Sequence, residues 1–267
     1  MSWKRIKSFL IILFLAINIL LVFSSNSVLF TSKTRFDNEV IEGTIDILNR
    51  NYGILVSEAI IPPYIDTLDS VDVTNIIYTE EFENFTGLKA KQASFEGEFI
   101  TDIFSYNEEN ALTEMKSILG KLNISDESYK ITVKKVDKGI LCNVYEYINK
   151  YKLFNGHIKA LFTPGNVSLS GTWYIVQNTD LNDNTKNNIR MADVTGVLLD
   201  LANISSADSA LTPKEITDIK YGYHLSYYDL NALTKSAPAV PSYLIETDIG
   251  SKYYYDAISG LLIKQEE

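Results

Sequence analysis

Hydrophobic and polar positions along this chain fall into three kinds of pattern. The first is a solid apolar run. Fourteen of the eighteen residues from Ile6 to Phe23 are Ile, Leu, Phe or Val, and Asn18 is the one amide among them. Such a run gains roughly −4 to −8 kcal/mol on an insertion scale and, as a helix, spans about 27 Å, close to the ~30 Å hydrocarbon core of a bilayer. The second pattern has helical period. Phe36, Val40, Ile41, Ile47 and Leu48 recur at that spacing as far as Gly53. Ala111, Leu112, Met115, Ile118, Leu119 and Leu122 form a stripe within 107–122, and Val194, Val197, Leu198 and Leu201 another within 189–203. The third pattern alternates. Phe95, Phe99 and Ile103 share one parity over 93–104, and Ile219, Tyr221, Tyr223, Leu225 and Tyr227 alternate without a break. Period-2 patterning predicts strands with one buried and one wet face.

Turn signals separate the strands. The run 129–136 leads through Asp137-Lys138-Gly139 into 140–151, Asn155-Gly156 marks a second hairpin, and Pro164-Gly165-Asn166 a third turn. Asp256 to Gly260 turn between two short final strands, and the polar stretch 178–188 has linker composition. A helix followed by several strands therefore occurs twice. This predicts an α+β fold in which an N-terminal transmembrane helix is followed by two related lobes, each a helix packed on a curved antiparallel sheet. The expected divisions are a cytoplasmic tag (1–5), an anchor (6–23), a connector (24–35), an N-terminal lobe (36–184) and a C-terminal lobe (185–267).

The apolar run could be a cleaved export signal or a permanent anchor. A signal has an apolar region of about 7–15 residues before a small-x-small site. Here the run is longer, and Ser24-Ser25-Asn26-Ser27 makes a poor site, so the length favours an uncleaved, single-pass anchor. Lys4, Arg5 and Lys7 at its N-terminal end lean towards a cytoplasmic N-terminus and an extracytoplasmic remainder, with Trp3 suited to the interface. Asn18 has two readings: a weakly polar residue that the helix tolerates, or the donor and acceptor of an interhelical hydrogen bond, with Phe14 one turn earlier on the same face.

Charge narrows the partners. The chain sums to −10, and its first 35 residues carry five basic side chains and no acid, so the rest stands near −15. Little is left to neutralise phosphates in quantity, which argues against nucleic acid. With a single cysteine, Cys142, no internal disulfide can form, and its strand context reads as a buried thiol. His157 after a hairpin turn and His224 on the wet face of the Tyr-rich strand have no second His at ligand spacing. Asp180, Asn182 and Asn184 mimic a calcium loop, but Thr185 stands for its Gly and Met191 for its bidentate Glu. Glu80-Glu81 and Glu108-Glu109 could be hydrolase carboxylates, but adjacent acids at a helix start or in a loop are usually solvated, and Glu108-Glu109 suits a helix dipole. The expectation is a protein that is not an enzyme, with no cofactor and no metal.

Trp3, Lys7, Phe9, Ile12, Phe14, Leu15 and Asn18 together resemble the N-terminus of the YycI family, membrane-anchored extracytoplasmic regulators of a cell-wall sensor histidine kinase in low-GC Gram-positive bacteria. Phe9 stands one place earlier than in that pattern. The stretches "YEYINKYKLFNGHIKALF", "IKYGYHLSYYD" and "APAVPSYLIETDIGSKYYYDAISG" are similar to the sheets of YycI and YycH proteins and to PepSY-like modules. The resemblance implies a regulatory protein whose partners are a YycH-like protein and the sensor kinase. An anchored PepSY-like module binding a wall ligand or protease is the alternative, and a wall hydrolase would require two carboxylates converging in a cleft.

Overall fold

The computed structural model describes residues 38–63, 65, 68–100, 107–177, 191–206, 212–226 and 236–266. The anchor, with Trp3, Lys4, Arg5, Lys7, Phe14 and Asn18, lies outside them, as do the predicted linker 178–188, the lobe boundary at 184/185 and the Asp180–Asn184 loop. No helix among the described residues is long and apolar enough to cross a membrane. The chain divides into two units, 1–43 and 44–267. Of the first, only Asn38–Gly43 are described, the opening of helix α1 (Asn38–Ile47).

The second unit is α+β, with few helices and one large mixed sheet. Its helices are α2 (Glu80–Glu83), α3 (Glu108–Lys121) and α4 (Val194–Ser206). Its strands are β1 (Leu55–Val56), β2 (Val71–Asn75), β3 (Leu88–Lys91), β4 (Ser94–Ile100), β5 (Tyr129–Val136), β6 (Gly139–Ile148), β7 (Tyr151–Thr163), β8 (Asn166–Thr172), β9 (Tyr174–Val176), β10 (Glu215–Leu225), β11 (Ser236–Thr247), β12 (Lys252–Asp256) and β13 (Leu262–Glu266). The main path runs β13-β12-β11-β10-β7-β8-β4-β3, with β6 and then β5 on the other edge of β7.

Helices α1, α3 and α4 form where the stripes predict them, and α2 is a single turn that no stripe announced. Asn107 caps α3 by accepting a hydrogen bond from the Asn110 N–H at 2.7 Å, and Thr79 caps α2 through Phe82. Glu108-Glu109 and Glu80-Glu81 sit in the first turns of these helices, where the dipole favours an acid. α3 buries Ala111, Met115, Ile118 and Leu119 in one core with Cys142, Val144, Ile158, Ala160, Phe162 and Trp173. α4 buries Val194, Val197, Leu198 and Leu201, and Tyr243 from β11 donates to the Ala192 carbonyl just before it at 2.8 Å. The π-helical turn Leu48–Tyr52 ends at Gly53, whose φ of 69° only glycine adopts cheaply.

One of the predicted turns needs correction. The β6–β7 hairpin turns at Asn149-Lys150, with Ile148 opposite Tyr151, not at Asn155-Gly156. Both turn residues have positive φ, 49° and 78°, as a tight two-residue hairpin demands. Asn155-Gly156 instead lies inside β7, at an irregularity. The pairs Tyr145↔His157 and Tyr147↔Lys152 are two residues apart on β6 but five apart on β7. β7 thus bulges through Leu153–Gly156, and a Gly within a strand pattern marks such a bulge as readily as a turn.

That bulge divides one edge of β7 between two neighbours. At its start, Lys152 and Leu153 pair in parallel with Gly222 and Tyr223 of β10; after it, His157 to Thr163 pair with β8. The gap so opened is closed by β2, which pairs with β11 on one side and β9 on the other. Since β9 follows β8 after the single residue Trp173, the pairings β7-β10-β11-β2-β9/β8-β7 form a closed ring. Val73, Ile148, Leu153, Tyr174, Tyr223, Leu225, Ala237 and Ala239 make up a second core at this ring.

Candidate functional site

Cross-strand register decides which side chains share a face. Cys142, Val144, Ile158 and Ala160 point to the α3 core, so their neighbours Asn143, Tyr145, His157 and Lys159 point the other way. In β10–β13, Ile219, Tyr243, Ile245 and Tyr255 are buried, which leaves Lys220, Glu246, Lys252 and Glu266 on the opposite face. The β7 bulge brings both outward faces together. The result is a concavity of about 910 Å³, floored by Phe154, Leu244 and Tyr254 and ringed by Lys130, Lys150, Lys152, Lys159, Lys220 and Lys252. Gly222 permits the close approach at its centre: a Cβ there would fall 2.4 Å from the Phe154 ring and from the Lys152 carbonyl oxygen.

Six lysines against two glutamates, Glu246 and Glu266, give the groove a surplus of four positive charges in a chain that sums to −10. Lys220 is paired with Asp218 and, at 3.1 Å, with Glu246, which also holds Lys252 at 3.4 Å. Burial works against the Lys220 charge, but these partners keep its pKa raised. Glu266 accepts from Lys264 at 2.6 Å and from the Tyr254 hydroxyl at 3.0 Å. Burial pushes its carboxyl up, yet those contacts leave it below the ordinary value.

Lys130, Lys150, Lys152 and Lys159 have no carboxylate partner among the described residues. Two of them lie over aromatic faces, Lys152 at 4.1 Å from the Tyr145 ring centre and Lys130 at 4.5 Å from that of Tyr147. Burial, followed by the nearby charges of Lys220 and Lys252, lowers the Lys152 pKa against the attraction of Glu246, which lies beyond ion-pair distance. The His157 ring stacks on Tyr145 at 5.0 Å, its Nε2 is buried without a partner, and burial together with Lys159 and Lys152 lowers its pKa. It therefore belongs to a strand wall, not to the mouth of a turn.

His224 is not on a wet face. It is 5% exposed, donates from Nδ1 to the Leu225 carbonyl oxygen at 2.7 Å and accepts at Nε2 from Asn155 at 3.3 Å, a pairing that fixes the neutral tautomer. Asn155 also accepts from the Leu225 N–H at 2.8 Å, so its amide ties the β7 bulge to the end of β10. Burial lowers the His224 pKa accordingly. Cys142 is buried as expected, and burial pushes its thiol up to about 11, away from nucleophilic reactivity.

The sequence reading missed the groove. Its lysines come from β5, the β6–β7 turn, β7, β10 and β12, and no local motif unites them. The usable signal was the parity of Lys130, Asn143, Tyr145, Lys159 and Lys220 on alternating strands, but the bulge reverses that parity within β7.

No protein-family model matches the sequence, and no curated protein matches it. Among solved structures, the chain is similar to an uncharacterized protein from Eubacterium rectale, with 10% identity and a TM-score of 0.43 over 84% of this chain and 98% of that one. It is also similar to the YpeB C-terminal domain of Bacillus megaterium, with 11% identity and a TM-score of 0.33 over 87% of this chain and 97% of that one. The likeness to YycI proteins thus rests on the sequence stretches quoted above.

Proposed function

We propose that this chain is a non-enzymatic, membrane-anchored binding protein that modulates a cell-wall sensor histidine kinase through transmembrane and extracytoplasmic contacts, as its resemblance to YycI implies. Residues 6–23 anchor it, Trp3, Lys4, Arg5 and Lys7 hold its N-terminus in the cytoplasm, and two related lobes outside carry recognition. The observation that carries a binding role is the groove: a concave, aromatic and cationic face with no helix of the described residues in its lining, built on strands and a hairpin turn between Lys130 and Glu266. Its two carboxylates are spoken for by lysines and a tyrosine, and Glu266 is held below its ordinary value, the opposite of the raised acid that glycoside hydrolysis needs. The alternative of an anchored PepSY-like module that binds a wall ligand draws on the charge of the same groove.

The test separates anchor from lobes. Lipid tails are as apolar as Leu, so pairing of the anchor depends on packing and interhelical hydrogen bonds. Asn18→Leu keeps insertion and weakens pairing roughly 3- to 30-fold. Recovery of the sensor kinase and a YycH-like protein from native membranes, compared at equal abundance, measures it. Absence of both partners from the wild-type pull-down refutes the regulatory reading.

A further inference from the structure

We infer that the groove binds a short phosphorylated ligand carrying two or more phosphate groups. This rests on the reading of the chain as a binding protein and names the class of ligand. Three features point to it. The first is uncompensated charge. Four ammonium groups, those of Lys130, Lys150, Lys152 and Lys159, surround one concavity without a carboxylate partner among the described residues. Burial and the like charges of Lys220 and Lys252, only partly offset by Glu246, work against the Lys152 charge in the empty groove, and an anion there relieves it.

The second feature is the kind of cation. All six are lysines, although the chain has arginine elsewhere. Arginine presents a planar fork that grips a carboxylate or a phosphate at two points, whereas lysine binds phosphate as a compact point charge on a flexible stem. Several ammonium groups converging from different strands suit the tetrahedral oxygens of a phosphate. The aromatic faces of Tyr145 and Tyr147 hold two of these stems in place, which lowers the ordering cost of binding. The hydroxyls of both rings donate to no protein group among the described residues, so they remain available to phosphate oxygens.

The third feature is extent. Lys130 and Lys159 occupy adjacent rows of the sheet, beside Tyr145 and Asn143 respectively, while Lys152 and Lys220 lie beyond the bulge. Rows on one face repeat about every 6.8 Å and strands about every 4.8 Å, so a single phosphate cannot touch all the lysines. A long polyanion is excluded by the rest of the molecule. With the groove set aside the remaining charge is −14, and it repels any polymer that continues past the rim. A concavity of about 910 Å³ accommodates an oligophosphate or a small phosphorylated polyol.

Isothermal titration of the full chain in detergent micelles with tripolyphosphate tests this. The expected result is saturable one-site binding that weakens with salt. Lys130→Gln/Lys159→Gln should lower the affinity about tenfold or more, while Lys89→Gln/Lys116→Gln, on β3 and α3, should not change it. Both groove lysines are exposed; should that pair unfold the chain by circular dichroism, Lys150→Gln supplies the same comparison from the hairpin turn. No binding at millimolar tripolyphosphate, equal losses in the two double variants, or tighter binding of an oligoglutamate of the same charge would each overturn the inference. The last outcome would assign the groove to an acidic peptide. Since the titration contains no partner protein, its failure with kinase recovery intact removes the phosphate ligand alone.

Discussion

Glu146 sits between Tyr145 and Tyr147, opposite the β7 bulge, with its carboxyl turned away from the groove. It is 2% exposed, and its Oε2 accepts from the Tyr174 N–H at 3.1 Å. Gly156 makes the space: a Cβ there would fall 1.9 Å from that oxygen. Burial holds the carboxyl well above its ordinary value, with the Tyr174 bond opposing. An acid whose pKa is raised by folding keeps its proton in the native state after the unfolded chain has lost it. Stability therefore falls as pH rises above about 4.5, and goes on falling until the folded group ionises. Glu146→Gln cannot ionise and retains an acceptor for Tyr174. Its melting temperature relative to wild type should rise between pH 4 and pH 8, as measured by thermal denaturation at both. A constant difference would mean that the carboxyl is charged in the fold. The sequence did carry a mark of Glu146, since in "GILCNVYEYI" the acid falls on the parity of Ile140, Cys142, Val144 and Ile148, the face that alternation assigns to the core.

At the scale of elements, the β6–β7 hairpin shows how local chemistry and the groove compete. Lys150 holds a φ of 78°, a region that costs a side chain about 1 kcal/mol or more relative to glycine. Lys150→Gly relieves that strain but gives the unfolded chain a glycine's freedom, so the net stabilisation should be about 0.5 kcal/mol, read from denaturant midpoints, while one cation leaves the rim and tripolyphosphate binding weakens. A loss of stability instead would mean that Lys150 packs favourably on its neighbours. The same hairpin explains what was legible. Helices α3 and α4 were readable because stripes and caps are local, and Asp137–Gly139, Pro164-Gly165 and Asp256–Gly260 because their turn residues are the usual ones. Asn149-Lys150 was missed because lysine is no turn signal. Asn155-Gly156 misled because the glycine serves Glu146 and the bulge. His224 was placed in water because alternation stops at Gly222, after which β10 is buried on both faces, within the ring of strands.

For the whole molecule, that ring is the part least visible in the sequence. β1 and β2 are short, and their partners β10 and β11 stand far along the chain, so no local pattern links them. A closed ring opens as one unit. In native-state hydrogen exchange, the amides of Val71–Asn75 should share their opening free energy with those of Ser236–Ala239. Markedly faster exchange in β2 would show that it closes nothing. The ring also fixes an order of assembly during synthesis. Leu55 pairs with Glu215, 160 positions later. At about 5–20 residues per second, the nascent β1 waits roughly 8–32 s before its neighbour exists. Through that interval the earliest-made strands present bare edges to any other chain, and an edge is a template for unwanted pairing. The ribosome thus makes first what the fold can use only last, and a chaperone or neighbouring chain that shields residues 55–75 would act in that window.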